Sequence, residues 1–417
     1  MVSQTRALSS AVIFIKIEQI IPWLLPILLL SSRSMADFTV LTLGLIFLLK
    51  SSLEKSWKWC SEPWFRMSLL FWAYLLLVNA PISIDFADSF LHALFFIRWP
   101  LFAAALAYWL LSSVKYQRHL IMALMAVTFF IVFDTWWQYF FDKDLFGHLK
   151  IGQDRLTGPF SRPIPGIMLL RIMFIPLFAG LIFQSLKIPL RYILFTVMIL
   201  SLGLLTIFVT GERMAFLLFV SGTSVISIGL WFEYPKLRII ISSGVFLLLG
   251  LLLATALFAP EMSNRTIFSL FLKLQDFASS DYGNVFNAAW YAWKENFILG
   301  SGFHTYKMVC EQLGVLAQMG MTCTHPHNLY LQIGAETGLV GLVLFVSLIL
   351  FIYHAAMKSL IQAGAWYVCS LSFVVLSISF WPLIGGISIL NNWVASLVWL
   401  GVGWVIAISS QYHRPHL

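Results

Sequence analysis

Long apolar runs follow one another along almost the whole chain, separated by short polar turns. A helix needs about 20 apolar residues to cross about 30 Å of hydrocarbon, and windows of that kind fall at 11–31, 67–84, 93–112, 119–140, 166–184, 191–210, 214–232, 237–258, 327–353, 362–383 and 388–408. A shorter run at 36–50 begins at Asp37 and supplies one more candidate. The pattern predicts an all-α polytopic membrane protein with about twelve transmembrane helices, a single integral membrane domain over residues 1–417. Arg6 before an apolar run ending in "SSRSMA" has the outline of a secretory signal. Lys16 and Glu18 interrupt that run and further spans follow at once, so it reads as an uncleaved first helix.

Two segments break the rhythm, "FDKDLFGHLKIGQDRLTGPFSRPIP" at 141–165 and the one long hydrophilic loop at 259–326. Within the longer one, Phe286, Ala289, Trp290, Trp293 and Phe297 recur at helical spacing, which predicts a short amphipathic helix lying on the bundle or in the membrane interface.

Composition agrees with this pattern: 60% of residues are hydrophobic and 11% charged, which excludes a water-soluble fold. The charges are sorted by loop. Lys50, Lys55, Lys58 and Arg66, then Lys115 and Arg118, Lys187 and Arg191, Lys236 and Arg238, and Lys358 and Arg414 alternate with loops such as Ile84–Leu91, which carries Asp85 and Asp88 and no base. Short cytoplasmic loops hold the excess of Lys and Arg, so the basic loops face the cytoplasm and both long loops lie outside. The net charge of +8 is then a matter of topology and needs no nucleic-acid partner.

Ionisable groups at membrane depth are costly, and each invites a functional reading. Arg98 and Arg171 lie within predicted spans, Asp134 near one end of a span, and Lys16 reads as a snorkelling anchor. Arg213 lies in "FVTGERMAFLLFV", a polar turn between two apolar runs. Two readings stand side by side: a hairpin tip where Arg213 pairs with Glu212, or a guanidinium that meets an anionic headgroup by bidentate contact with phosphate. At the far end of the long loop, "THPHNLYLQIGAETGLVG" sets His325 and His327 at the start of an apolar helix. An imidazole there is suited to taking a proton near pH 7, whereas "HPH" lacks partners at any familiar metal spacing. His304 in "GSGFHTY" carries a weaker signal of the same kind. Cys310 and Cys323 share the outer loop, where a disulfide can persist, although spacing alone does not pair them.

These residues resemble the O-antigen ligase and polymerase superfamily. The family signature of His, a small polar residue, nine residues and Gly-x-x-Gly matches His327, Asn328, Gly338 and Gly341, directly after the longest outer loop. "GERMAF" is similar to the family's arginine at the outer end of an earlier helix, "RLTGPFSRPIPG" to its earlier outer loop, and "ENFILGSGFHTY" to its Gly-x-Gly segment ahead of the histidine. The family usually places a second arginine in the long loop shortly before a Trp-containing helix, and "SSDYGNVFNAAW" has none. Arg265 takes that role, or Lys294 or Lys307 supplies the charge, or the donor is held differently.

The resemblance implies an O-antigen ligase, a metal-independent inverting glycosyltransferase of the bacterial inner membrane with its site facing the periplasm. Its donor would be an undecaprenyl-diphosphate-linked glycan, its acceptor a sugar hydroxyl of lipid A–core, with membrane lipids around it and no cofactor. His327 and Arg213 are the expected catalytic residues, and Arg155, Arg162, Arg265, Asn328 and Lys307 the expected substrate contacts. An O-antigen polymerase that joins lipid-linked repeat units fits the same residues. A lipid or glycan flippase or transporter, which makes no bond, is the alternative from another class, and Arg98 and Arg171 would suit it.

Overall fold

In the computed structural model, residues 2–151, 155–179, 189–258, 263–264, 275–277, 279–383, 388 and 390–412 are described. Their regular structure is helical, with only isolated bridges besides. In chain order the helices are α1 (Val2–Ser31), α2 (Arg33–Leu53), α3 (Pro63–Tyr74), α4 (Phe86–Phe96), α5 (Arg98–Ala105), α6 (Val114–Phe141), α7 (Pro165–Ile172), α8 (Pro189–Val209), α9 (Arg213–Glu233), α10 (Arg238–Phe258), α11 (Asp281–Glu295), α12 (Tyr306–Leu313), α13 (Leu329–Gln362), α14 (Trp366–Ser379) and α15 (Asn392–Tyr412).

Eight stretches of described residues are long and apolar enough to cross a membrane: Ile13–Ser31, Arg33–Leu53, Pro63–Ile82, Phe86–Leu110, Val114–Phe141, Arg213–Glu233, Leu329–Gln362 and Asn392–Tyr412. Shorter apolar helices, Pro165–Phe178, Leu194–Val209, Arg238–Ala254 and Trp366–Ser379, occupy the other expected positions. The run at 36–50 is a full helix of 21 residues because Ser32 caps it, its Oγ accepting from Met35 N at 3.1 Å. Asp37 does not end that helix, since Arg98 Nε lies 2.9 Å from its Oδ1.

The last helix, α15, is the hub of the bundle. It packs on α2, α5, α7, α13 and α14 and is buried along almost all its length. An apolar helix with no polar stripe belongs in such a place. Small residues let it approach closely: a Cβ on Gly403 would lie 2.9 Å from Ala103 O.

One end of the bundle collects the elements that matter below. Trp393 Nε1 donates to Leu29 O at 2.9 Å, and the Trp393 ring meets Phe160 edge-on, centroids 5.7 Å apart. Leu329 N donates to Pro382 O, and Ile84 N to Ser301 O. The 141–165 loop is pinned from α6. Asp134 Oδ1 accepts from Leu145 N at 2.9 Å, and Gln138 Oε1 accepts from Thr157 N and Gly158 N at 2.7 and 3.0 Å. Buried loop amides need hydrogen-bond partners, and these two side chains supply them.

Candidate functional site

The signature glycines are where α13 breaks. Gly338 has φ 67° and ψ −173° within an otherwise helical run, a region that glycine alone enters freely. The break frees carbonyls and amides that must find other partners, and a crossing segment supplies them. Ser301 N and Gly302 N donate to Ala335 O and Glu336 O, while Leu339 N and Val340 N donate to Phe297 O and Ile298 O. Tyr74 Oη donates to Thr337 O at 2.7 Å. The buried Asn79 ties both strands of the crossing: its Nδ2 donates to Leu299 O at 2.8 Å and Glu336 O at 3.0 Å, and its Oδ1 accepts from Phe303 N at 2.8 Å. The backbones touch so closely that a Cβ on Gly300 would lie 2.4 Å from Glu336 O.

Directly before this broken helix, Asn328 caps α13, its Oδ1 accepting from Tyr330 N and Leu331 N at 3.0 and 3.1 Å. That cap places His327, which has φ 51°, a left-handed conformation uncommon for a residue with a Cβ and enriched at functional sites. The His325 and His327 rings lie 4.1 Å apart, and Tyr282 of α11 meets His327 edge-on at 5.7 Å. Burial, then the neighbouring His327, push the His325 pKa down to about 4. His325 is therefore neutral at physiological pH, and its buried Nε2 meets no hydrogen-bond partner among the described residues.

The long loop is folded against the same half of α13. Val285, Ala288, Ala289, Ala292 and Trp293 are the buried face of α11, with Tyr306, Val309, Cys310, Leu316 and Cys323 completing a small core. The stripe expected from sequence is thus shifted: Trp290 and Phe297 are exposed, and the small alanines face inward. Trp293 sits flat on bare backbone, where a Cβ on Gly334 would fall 2.8 Å from the ring. A disulfide joins Cys310 to Cys323. With 13 residues of separation, the chain-entropy account gives it about 3 kcal/mol of loop stabilisation. Mild reduction is expected to increase proteolysis between residues 306 and 327 with the bundle intact, as followed by limited digestion and mass spectrometry; unchanged cleavage would contradict that role.

At the second expected position, Gly211 turns the chain at φ 67° and Glu212 caps α9. Its carboxylate does not stay within its own hairpin. The oxygens accept from Gly166 N at 2.6 Å and Ile167 N at 3.1 Å, closing the N-terminus of α7. Burial pushes the Glu212 carboxyl up to about 7, opposed by those two amides and by the charges of Arg155 and Arg171. Arg171 is only 5% exposed, and its Nε and Nη2 find no partner among the described residues. Arg155 and Arg171 thus both act on the Glu212 carboxyl, and Arg213 follows it in the chain.

The remaining expected contacts differ in placement. Arg162 is exposed on the 141–165 loop, and Lys307 pairs at 3.7 Å with Glu311 on the outer face of α12. Arg265 lies outside the described residues, as does Asp154. The Asn328 side-chain oxygen is engaged in capping. Arg98 is a strut: besides Asp37, it donates to Phe95 O at 2.8 Å and Asn392 Oδ1 at 2.9 Å and lies over Trp99. Sequence reading missed Tyr74 and Asn79, whose only signal was polarity within a span interrupted by Pro81, and Glu336, which lies inside the signature stretch.

The described residues make a polytopic helical protein with a histidine at the start of a broken helix and a buried carboxyl near Arg155 and Arg171. Residues 196–346 match the family model described as O-antigen ligase, an interval that contains the Arg213 turn, the long loop and the His327 helix start. Over that interval the chain is similar to the O-antigen ligase family. No curated protein matches it.

Proposed function

We propose that the chain is an O-antigen ligase, transferring an undecaprenyl-diphosphate-linked polysaccharide to a sugar hydroxyl of lipid A–core at the periplasmic face of the bacterial inner membrane. The observation that carries this reading is the family match over 196–346, which holds Arg213 and His327 in one interval. The acceptor oxygen attacks the anomeric carbon, the bond from that carbon to the diphosphate oxygen breaks, and the sugar configuration inverts. His327 takes the hydroxyl proton as general base. Arg213, with Arg155 and Arg171 nearby, stabilises the charge that grows on the departing diphosphate; a guanidinium does so without changing its own protonation. The reaction needs no cofactor and no metal.

His325, neutral and packed on His327, is suited to shape the approach of the acceptor. Arg162 and Lys307, both facing solvent, are contacts for the water-exposed portion of the substrates, and Arg265 is a further candidate for the donor. The engagement of Arg98 by Asp37 and Asn392 removes one of the two intramembrane charges on which a transporter reading would draw. The test is the lipopolysaccharide banding of a deletion strain. Loss of every O-chain band with unchanged core is the expected result, a core bearing one repeat unit would replace ligase by polymerase, and a normal ladder would contradict both.

A further inference from the structure

The same end of the bundle holds a second group of ligating side chains that the transfer reaction does not use. Asp88 and His92 stand one turn apart on α4, and His304 follows the Gly-Ser-Gly crossing on the long loop. His304 Nδ1 lies 2.8 Å from Asp88 Oδ2, and His92 Nδ1 lies 3.3 Å from Asp88 Oδ1. One ligand atom from each of the three falls within 4.8 Å of the other two. The imidazoles are stacked, centroids 3.6 Å apart. His304 reaches this position with φ 73°, outside the ordinary range of a residue with a Cβ, so the loop is bent to bring a histidine to this carboxylate.

We propose that Asp88, His92 and His304 bind one divalent transition-metal ion, Zn²⁺ by the chemistry of the donors. Two imidazole nitrogens and one carboxylate oxygen, with water in the fourth position, are a known ligand set for that ion, at bond lengths of about 2.0–2.2 Å. Such bonds place neighbouring ligand atoms about 3.3 Å apart in a tetrahedron; the His92 separation from Asp88 Oδ1 equals this, and the His304 separation from Asp88 Oδ2 is 2.8 Å. Without metal, the His304 Nδ1–H donates to the Asp88 carboxylate at 2.8 Å and the His92 Nδ1–H to the Asp88 main-chain oxygen at 2.9 Å. Moving those protons to Nε2 frees both Nδ1 lone pairs, and side-chain rotation splays the stacked rings onto one point. The surrounding charge favours a cation: Asp85 caps the same helix, and the buried Glu336 accepts the His304 amide at 3.0 Å. A cavity of about 40 Å³ bordered by His92 and His304 has room for a bound water; Arg98, on its wall, is turned to Asp37. All three side chains are half-exposed, so the ion enters from solvent. Bound there, it would clamp the Gly300–His304 crossing to α4, and through Glu336 to the broken helix.

The proposal does not rest on the transfer reaction, and its test measures metal. The purified full-length protein in detergent, stripped with chelator, is titrated with Zn²⁺, and retained metal is counted by mass spectrometry after desalting. Co²⁺ substitution reports the ligand field by visible absorption. One equivalent of Zn²⁺ is expected, with an upward shift in thermal unfolding. Asp88→Asn, His92→Gln and His304→Gln should each weaken binding by at least about tenfold, a loss that removal of even an outer partner brings. His148→Gln, which alters a separate His–Asp pair, should leave binding unchanged. Unfolding curves of the metal-free variants separate lost binding from lost fold, and the conservative Asp88→Asn change keeps the packing if a histidine variant fails. No equivalent retained by the parent protein, or one retained by all three variants, would overturn the site. So would loss of binding in His325→Gln with retention in His92→Gln.

Discussion

Replacement of His327 by alanine is expected to abolish glycan transfer while the protein still binds its lipid-linked donor. The two effects separate because proton removal belongs to the chemical step and holding a diphosphate does not. General bases contribute about 10²–10⁴-fold in rate, so the loss should fall in that range or beyond. His327→Gln keeps hydrogen bonding without an effective base and should be nearly as inactive. Arg213→Lys is the contrasting change: it keeps the charge but loses the planar fork, so donor affinity and rate should fall together. Donor binding measured beside turnover distinguishes them. Full turnover by His327→Gln would reduce the histidine to an orienting role, and full turnover by Arg213→Lys would leave its geometry without consequence.

Gly338→Ala should have the largest effect on folding. At φ 67° and ψ −173° the position lies where any Cβ is strained, a cost on the order of 1–3 kcal/mol before packing is counted. The added carbon would also fall 2.3 Å from Ile298 O and 2.5 Å from Gly300 N, atoms of a backbone crossing with no room to move. Relief requires α13 to straighten, which strands the donors and acceptors that Asn79, Ser301 and Gly302 now satisfy. The variant is expected to lose most of its folded yield on fluorescence size-exclusion chromatography. Gly314→Ala is a comparison with a similar φ of 64° and nothing within 4 Å of the added carbon, and it should accumulate nearly normally. Equal yields from the two would show that the crossing tolerates the methyl group.

Much of this architecture was legible in the chain because the bilayer imposes a length on every crossing helix, and twenty apolar residues are easy to see. The α2 segment was harder: Asp37 looked like a terminus, and its partner Arg98 lies far along the sequence. The central position of α15 was not legible, since an apolar helix looks the same whether it faces lipid or protein. At the site, His327, Asn328 and the two glycines stood out as a pattern, yet their mechanical reason did not. Gly338 and Gly341 were visible only as members of that pattern; the structure uses Gly338 to break a helix and Gly300 to let another segment cross it closely. The roles of Tyr74 and Asn79 depend on contacts more than two hundred residues away in sequence, which no local pattern carries. Glu212 was read as a hairpin neighbour of Arg213, whereas its carboxylate caps the helix that begins at Pro165.

The measurement that addresses the central reading most directly is transfer by the purified protein in vesicles that contain undecaprenyl-diphosphate-linked glycan and lipid A–core. A core-linked glycan and an equivalent release of undecaprenyl diphosphate are expected, both absent with His327→Ala. Movement of the lipid-linked glycan between leaflets with no new glycosidic bond would contradict it.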